Sequence, residues 1–548
     1  MLKKCVFVFF TVIIGSIAQT PEASPEELTR RLFLDLFSRL PKEVEYEKTR
    51  KLIATGKYKD FVNSMLLNEE FRKVLADKII DHYKPDMPQG FDLLRIPLRD
   101  YIVKNHTGPR SDFRKFLKDY LTAEGIQYSN PMTIFYASEE QAPDMAGRIA
   151  QRVVGLPYNC ARCHDHKDYD KIKHKDFWEF ASFFNSTVKN RVLQVRQVEV
   201  VAKRLENDKT HLEKSIGKDN VAKIAKWVQA EKQGKNVYLM DYGGGGMMQK
   251  RNNLSIAKVP QIFVLEKEID MSRLRIRFKA EKEVQTAYAM LPTSSRPEKG
   301  TKKPRTVLAD WVISRNNTYT AKAISSWMSH WLLGHSFILP MTDVYGGDGP
   351  KKAVLAQCAN IFKQKNWSLT SLAAAILTSK FYKMKSASKN DEEAFVKFDK
   401  RRYRHLSGEQ LINTIRQYTE RKIHSEKLSK IIQFQREKQA NEIKNKFFPT
   451  SLEDDDANYK GTLGQSLFMS NNDKILTFIN MAAKDGHASD KSSKEWITTI
   501  IRSLFTREPT SQEIKFFGEN LHKNNSYEDS GYFDVLWAIM NSPELRLY

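Results

Sequence analysis

Two cysteines stand three positions apart with a histidine directly behind them, in Cys160-Ala161-Arg162-Cys163-His164. Thiols at that spacing on a helical turn can add to the two vinyl groups of a haem as thioethers. The next residue, His164, then falls under the iron as an axial ligand. The first expectation is therefore haem c, held by Cys160, Cys163 and His164. The same segment offers a second chemistry, because Cys160, Cys163, His164 and His166 are ligands of the types zinc accepts. Their crowding counts against it, since tetrahedral zinc usually draws ligands from two separate segments. A third reading is a plain structural or redox disulfide between Cys160 and Cys163. The sixth iron ligand is not fixed by the sequence; His166, His174, Met145 and Met132 lie nearest along the chain. A His or Met there favours electron transfer, whereas an open position favours small-molecule chemistry. Asp165, His166, Asp168, Asp170 and His174 follow as an acidic and imidazole cluster. Such a cluster can tune a haem, bind a metal or move protons, and can equally be a solvated loop.

Other chemistry is missing from the pattern. There is no HExxH, GxSxG, phosphate loop or dinucleotide fingerprint. Gly243 to Gly246 lacks the lysine and the strand-to-helix setting of a phosphate loop and reads as a flexible turn. A metal-dependent hydrolase using the Cys/His set, with Asp165 nearby, is the enzymatic reading.

The compartment agrees with haem attachment. Lys3 and Lys4, the apolar run Cys5 to Gly15 and Ser16-Ile17-Ala18 form a signal-peptide pattern, so residues 1–18 are expected to be removed on export to the periplasm, cell surface or medium. The apolar run is too short for a comfortable transmembrane helix, and no other segment approaches that length. The chain has 548 residues and 41% hydrophobic residues, enough to bury a core across several domains. Its net charge of +23 points to an acidic redox partner or an anionic polysaccharide rather than nucleic acid, which an exported protein rarely meets. Lysine that merely solubilises the surface accounts for the charge as well, because the basic residues are spread along the chain. Cys5 leaves with the signal and Cys358, in an apolar run, reads as a buried small hydrophobe.

The elements that must position the motif are mostly helices. Ser24 followed by Pro25 and Glu27 starts one, with Leu28, Leu32, Phe33, Leu36 and Leu40 at helical spacing. Residues 42–55 and 58–83 read as two more, and 194–234 as a charged helix. Short strands are expected at Val237 to Met240, Gln261 to Leu265, Leu274 to Phe278 and Val284 to Leu291. A Pro- and Lys-rich linker, 292–304, follows. Helices return with Ile324, Trp327, Met328, Trp331 and Leu332 on one face, a Ser368 N-cap, and capping boxes at Ser407 to Gln410 and Thr510 to Glu513. An acidic loop is expected at 453–459. The expected fold is mainly α. It has a helical domain with the CxxCH motif at 24–190, a helix plus a small β-rich insertion at 191–300, and a C-terminal helical domain at 301–548.

The chain resembles the large secreted cytochrome c-like proteins of planctomycete type, whose two halves are paired N- and C-terminal domains of unknown function. In the first half the resemblance rests on Arg30-Arg31-Leu32-Phe33-Leu34-Asp35-Leu36, Leu121 to Gly125, Cys160 to His166, Asp176-Phe177 and Ala181 to Phe184. In the second half it rests on Leu308 to Trp311, Leu406 to Gln410, Thr506 to Thr510 and Leu536 to Glu544. It implies a c-type haem protein of unassigned role; an exported electron carrier, linked to breakdown of extracellular polymers, is the leading expectation. A glycan-binding scaffold with a bridged CxxC is the third reading, beside the hydrolase. Two departures stand out: Lys167 replaces the usual proline after the second histidine, and Ser326-Trp327-Met328-Ser329 stands where relatives carry Asn-Arg-x-Trp.

Overall fold

The computed structural model describes residues 22–84, 92–126, 130–136, 141–192, 261–280, 283–293, 295–338, 340–346, 350–387, 401–419, 463–489, 491–521 and 530–548, with isolated helical positions between 209 and 225. Residues 1–18, most of 194–234, the strand at 237–240, the glycine run and the acidic loop at 453–459 lie outside the described residues. The architecture is mainly α with small two- and three-stranded sheets. Among the described residues no helix is long and apolar enough to cross a membrane.

The first helix, α1 (Pro25–Phe37), begins as its sequence demands: the Ser24 hydroxyl accepts the Glu27 N–H at 3.1 Å, and Pro25 occupies the first turn. Next come α2 (Glu43–Ala54), α3 (Tyr58–Leu66), α4 (Glu69–Tyr83), α5 (Asp92–His106) and α6 (Phe113–Leu121). The single helix expected over 58–83 is thus two. Its break falls at Asn68, whose side chain leaves the helix to accept the Glu70 N–H at 2.8 Å and so caps α4. The apolar stripes are core: Met65, Leu66, Val74, Leu75, Ile79 and Ile80 are all buried. Later helices use the expected caps. Ser368 accepts from Ser371, and the pairs Ser407/Gln410 and Thr510/Glu513 bond reciprocally.

One buried cluster runs through Leu32 to Phe184, Val264 to Ala289 and Leu308 to Tyr382. A second joins Leu34 and Leu40 to the helices from Leu406 to Tyr548. Both clusters therefore touch α1, through different faces. Its polar residues are buried as well. Arg30 donates to the carbonyls of Leu504 (2.7 Å), Leu545 (2.8 Å), Glu544 (3.2 Å) and Leu547 (3.2 Å). Arg31 donates to the Tyr382 and Met384 carbonyls and to the Ser386 hydroxyl, and pairs with Glu27. Burial pulls both guanidinium pKa values down to about 10, still well above neutrality. Asp35, fully buried, accepts from Tyr382 Oη (2.9 Å), Tyr548 Oη (3.1 Å) and Arg404 (2.9 Å), with Arg401 at 3.5 Å.

Three antiparallel strands form one sheet, in the order β1 (Gly125–Ile126), β3 (Gln261–Glu266), β2 (Thr187–Val192). β4 (Ile269–Asp270) pairs with β7 (Thr301–Lys302), so the expected linker carries a strand. Between them lies a hairpin of β5 (Arg275–Ala280) and β6 (Glu283–Tyr288).

Replacing Asp35 with Ala would strand Arg401 and Arg404 beside an apolar gap. The expected loss is about 3–5 kcal/mol, as for other buried pairs deprived of one partner. Urea denaturation would read it as a lowered midpoint, and an unchanged midpoint would refute the assignment.

Candidate functional site at the Cys160–His164 turn

The motif sits on a short 3-10 turn, Tyr158–Arg162, entered through Pro157, with Cys163 as its end. The turn has two sides. Tyr158 and Ala161 are buried in the first core cluster, while Cys160, Cys163 and His164 are exposed. No disulfide joins Cys160 and Cys163 in this structure. The turn is helical, as its spacing suggests, in the tight 3-10 form: Tyr158 and Ala161, three positions apart, share the buried side, while Cys160 and Cys163, also three apart, are exposed.

Its position is set from two directions. Asn159 lies against Gly147 of α7 (Ala142–Ile149), and an added Cβ at Gly147 would overlap the Asn159 amide. Arg162 pairs with Asp144 of the same helix at 3.0 Å. Upstream, Gly155 adopts φ +75°, and its carbonyl accepts the Val344 N–H at 2.8 Å. That conformation, with Val344 packed where a side chain would go, suits glycine.

Behind the turn, residues 165–174 close on themselves. Asp165 accepts the His174 N–H (2.9 Å) and pairs with Lys173 (3.1 Å), and these partners hold its carboxyl below the usual carboxylate range. The His166 N–H donates to the Ile172 carbonyl at 3.0 Å. His166 is buried, and its Nδ1 accepts the Asp168 N–H at 3.1 Å, which puts its proton on Nε2. Its ring packs on Tyr169 at 4.5 Å, and Tyr169 Oη donates to Asp343 at 2.7 Å. Asp343 in turn accepts the N–H groups of Tyr345 and Gly346, both at 3.1 Å.

The two remaining histidines are also oriented. His164 Nδ1 lies 2.6 Å from the Asp165 carbonyl; a carbonyl only accepts, so Nδ1 carries a proton, which in the neutral ring leaves the lone pair on Nε2. That is the tautomer a metal-binding imidazole needs, fixed by a backbone partner. His174 is different. Its Nε2 lies 2.8 Å from the Trp178 indole N–H, a donor, and 3.1 Å from the Arg162 carbonyl oxygen, an acceptor, so that nitrogen has a protein partner in either tautomer. His174 joins the loop to α8 (His174–Ala181) rather than offering a ligand atom.

The chemistry of the donor set suits a covalently attached haem: two open thiols on one turn, followed by an imidazole with its Nε2 available. The four residues of the zinc set are not gathered. His166 turns into the protein while the other three face solvent, and among the described residues no group of three or more His, Cys, Asp or Glu is arranged to hold a metal ion. Met132 and Met145 are buried in the core, away from the exposed side of the turn. Cys358 is buried, and its surroundings push the thiol up to about 12. The Ser326–Ser329 segment is packed inside the protein: Ser326 bonds Ser336 and the Met341 carbonyl, and Trp327 stacks on His82 at 4.8 Å. Asp343 and Trp178 were not among the residues expected at the site. No spacing signal could have found Asp343, which meets Tyr169 across 174 positions.

Two regions of this mainly helical chain match known families, and the exposed CxxCH turn lies within the first. Residues 11–189 match the family PSCyt2, described as a protein of unknown function (DUF1549), and residues 304–446 match PSD1, described as a protein of unknown function (DUF1553). The chain therefore carries both domains, N-terminal and C-terminal, and neither description assigns an activity. No curated protein and no solved structure matches it.

Substituting Gly147 by Ala should push Asn159, and the turn with it, at a cost of about 1–3 kcal/mol typical of overpacking. The rate at which Cys160 and Cys163 react with a thiol reagent should change. Adding Asn159→Ala, which clears the overlap, should restore both stability and rate; failure of that rescue would count against the packing argument.

Proposed function

We propose that the chain is an exported c-type haem protein for electron transfer, with Cys160 and Cys163 as attachment points and His164 as the axial ligand. The observation that carries this reading is the open turn itself, with both thiols and a correctly protonated imidazole on its solvent side. Haem, once bound, supplies one-electron chemistry. The protein's own contributions are positional. The turn anchors Tyr158 and Ala161 in the core, the Asp165 carbonyl holds the His164 ring, and the surplus of positive charge draws acidic partners. The signal-peptide pattern at 1–18 supports attachment outside the cytoplasm, where that chemistry takes place. Breakdown of extracellular polymers is the process to which such a carrier would be linked.

The test is expression of the full chain with a periplasmic haem-maturation system. The expected product is red, stains for haem on a denaturing gel, and has an intact mass raised by one haem. Cys160→Ser with Cys163→Ser should abolish the stain. His164→Ala should keep covalent haem but change the absorption spectrum and the potential. A colourless product sinks the proposal. Its mass would then tell a disulfide, two hydrogens lighter, from free thiols, and elemental analysis would reveal stoichiometric zinc.

A further inference from the structure

The β5–β6 hairpin has two unlike faces. Its register pairs Ile276 with Ala287 and Phe278 with Gln285, and Ile276, Phe278 and Ala287 are buried. Phe278 stacks on Trp178 of α8 at 5.1 Å and meets the His174 ring edge-on at 5.0 Å. Alternation along each strand sends the intervening pairs outward: Arg275 opposite Tyr288, Arg277 opposite Thr286, Lys279 opposite Val284. All six are exposed, with Val284 at 72% and Tyr288 at 44%. This outer face carries three cations and no carboxylate. Among the described residues none of the three forms an ion pair, whereas the neighbouring Arg273 pairs with Asp270 at 3.8 Å. Two residues of strand separate one cation from the next, a step of about 7 Å, so the three form an even row flanked by an aromatic ring.

Like charges aligned on one strand face repel one another. Solubility alone does not call for a row of one sign on a two-stranded hairpin beside exposed Val and Tyr. We propose that this face is a docking surface for a linear anionic polysaccharide. The polymer's regularly spaced carboxylates or sulfates would meet Arg275, Arg277 and Lys279, and a sugar ring would lie on Tyr288. Charge complementarity and even spacing favour a polymer over a folded acidic protein, whose charges are not spaced in a row. The proposal stands apart from haem attachment, and its test reads polymer binding by chains with or without the cofactor.

Retention of the full chain on immobilised polygalacturonate and on dextran sulfate should fall with added salt, and neutral dextran should not retain it. Arg275→Gln, Arg277→Gln and Lys279→Gln together should weaken binding by about tenfold or more, the combined worth of three surface ion pairs. Removing the same charge elsewhere, through Lys51→Gln, Lys57→Gln and Lys515→Gln, should change it little. Tyr288→Ala should weaken binding with no change in charge. Far-ultraviolet circular dichroism and thermal melts would confirm that each variant folds. Equal losses in the two charge variants, an unaffected Tyr288→Ala protein, or retention on an immobilised acidic protein but on neither polymer would overturn the proposal.

Discussion

Burying two arginines and an aspartate on one helix is costly unless their donors find acceptors, and α1 meets most of that condition, leaving the Arg31 Nε without a partner among the described residues. Arg30 reads the ends of the C-terminal helices through four carbonyls. Arg31 reads the strand of chain after Tyr382. Asp35 then balances Arg401 and Arg404 and takes the hydroxyls of Tyr382 and Tyr548. Apolar packing around α1 would accept many rotations of the helix; these directional bonds accept one. The segments that carry the family resemblance meet here: Gln410 donates to the Leu34 carbonyl and Thr506 accepts from Arg30. Residues far apart in the chain are thus joined by one helix.

The Cys160–His164 turn inherits its rigidity from this frame. Val344, bonded to Gly155, and Asp343, bonded to Tyr169, come from the segment after the Thr320–Leu333 helix, which belongs to the same core. The turn is therefore clamped by both matched regions: α7 and α8 lie within the first, and residues 343–346 within the second. The first supplies the reactive side chains, and the second holds the loop behind them.

Local signals were legible in the sequence. Ser24, Ser368, Ser407 and Thr510 cap helices because a short hydroxyl before an apolar period has one favourable use. The strands at 261–266, 275–280 and 283–288 followed from β-branched and aromatic residues in short runs. The break at Asn68 was hidden because the apolar period continues through it. Arg30, Arg31 and Asp35 gave no sign of burial, since their partners are backbone carbonyls and side chains hundreds of positions away. At the site the exposed thiols were readable as chemistry, but nothing local told that His166 would face inward while His164 faced out. That difference is set by Tyr169 and Asp343, a contact between matched domains.

The hairpin and the turn are linked through short-range contacts of different kinds. Arg277 and Phe278 are neighbours on one strand and must point to opposite faces. Phe278 stacks on Trp178, whose indole bonds His174, whose backbone N–H is held by Asp165. Asp165 supplies the carbonyl that orients the His164 ring. Each step is a stacking contact, a hydrogen bond or a single peptide link, so a polymer on the outer face would lie a few side chains from the imidazole. On the docking proposal, what the arrangement would supply is proximity: an anionic polymer on the outer face would be held beside the exposed Cys160–His164 turn.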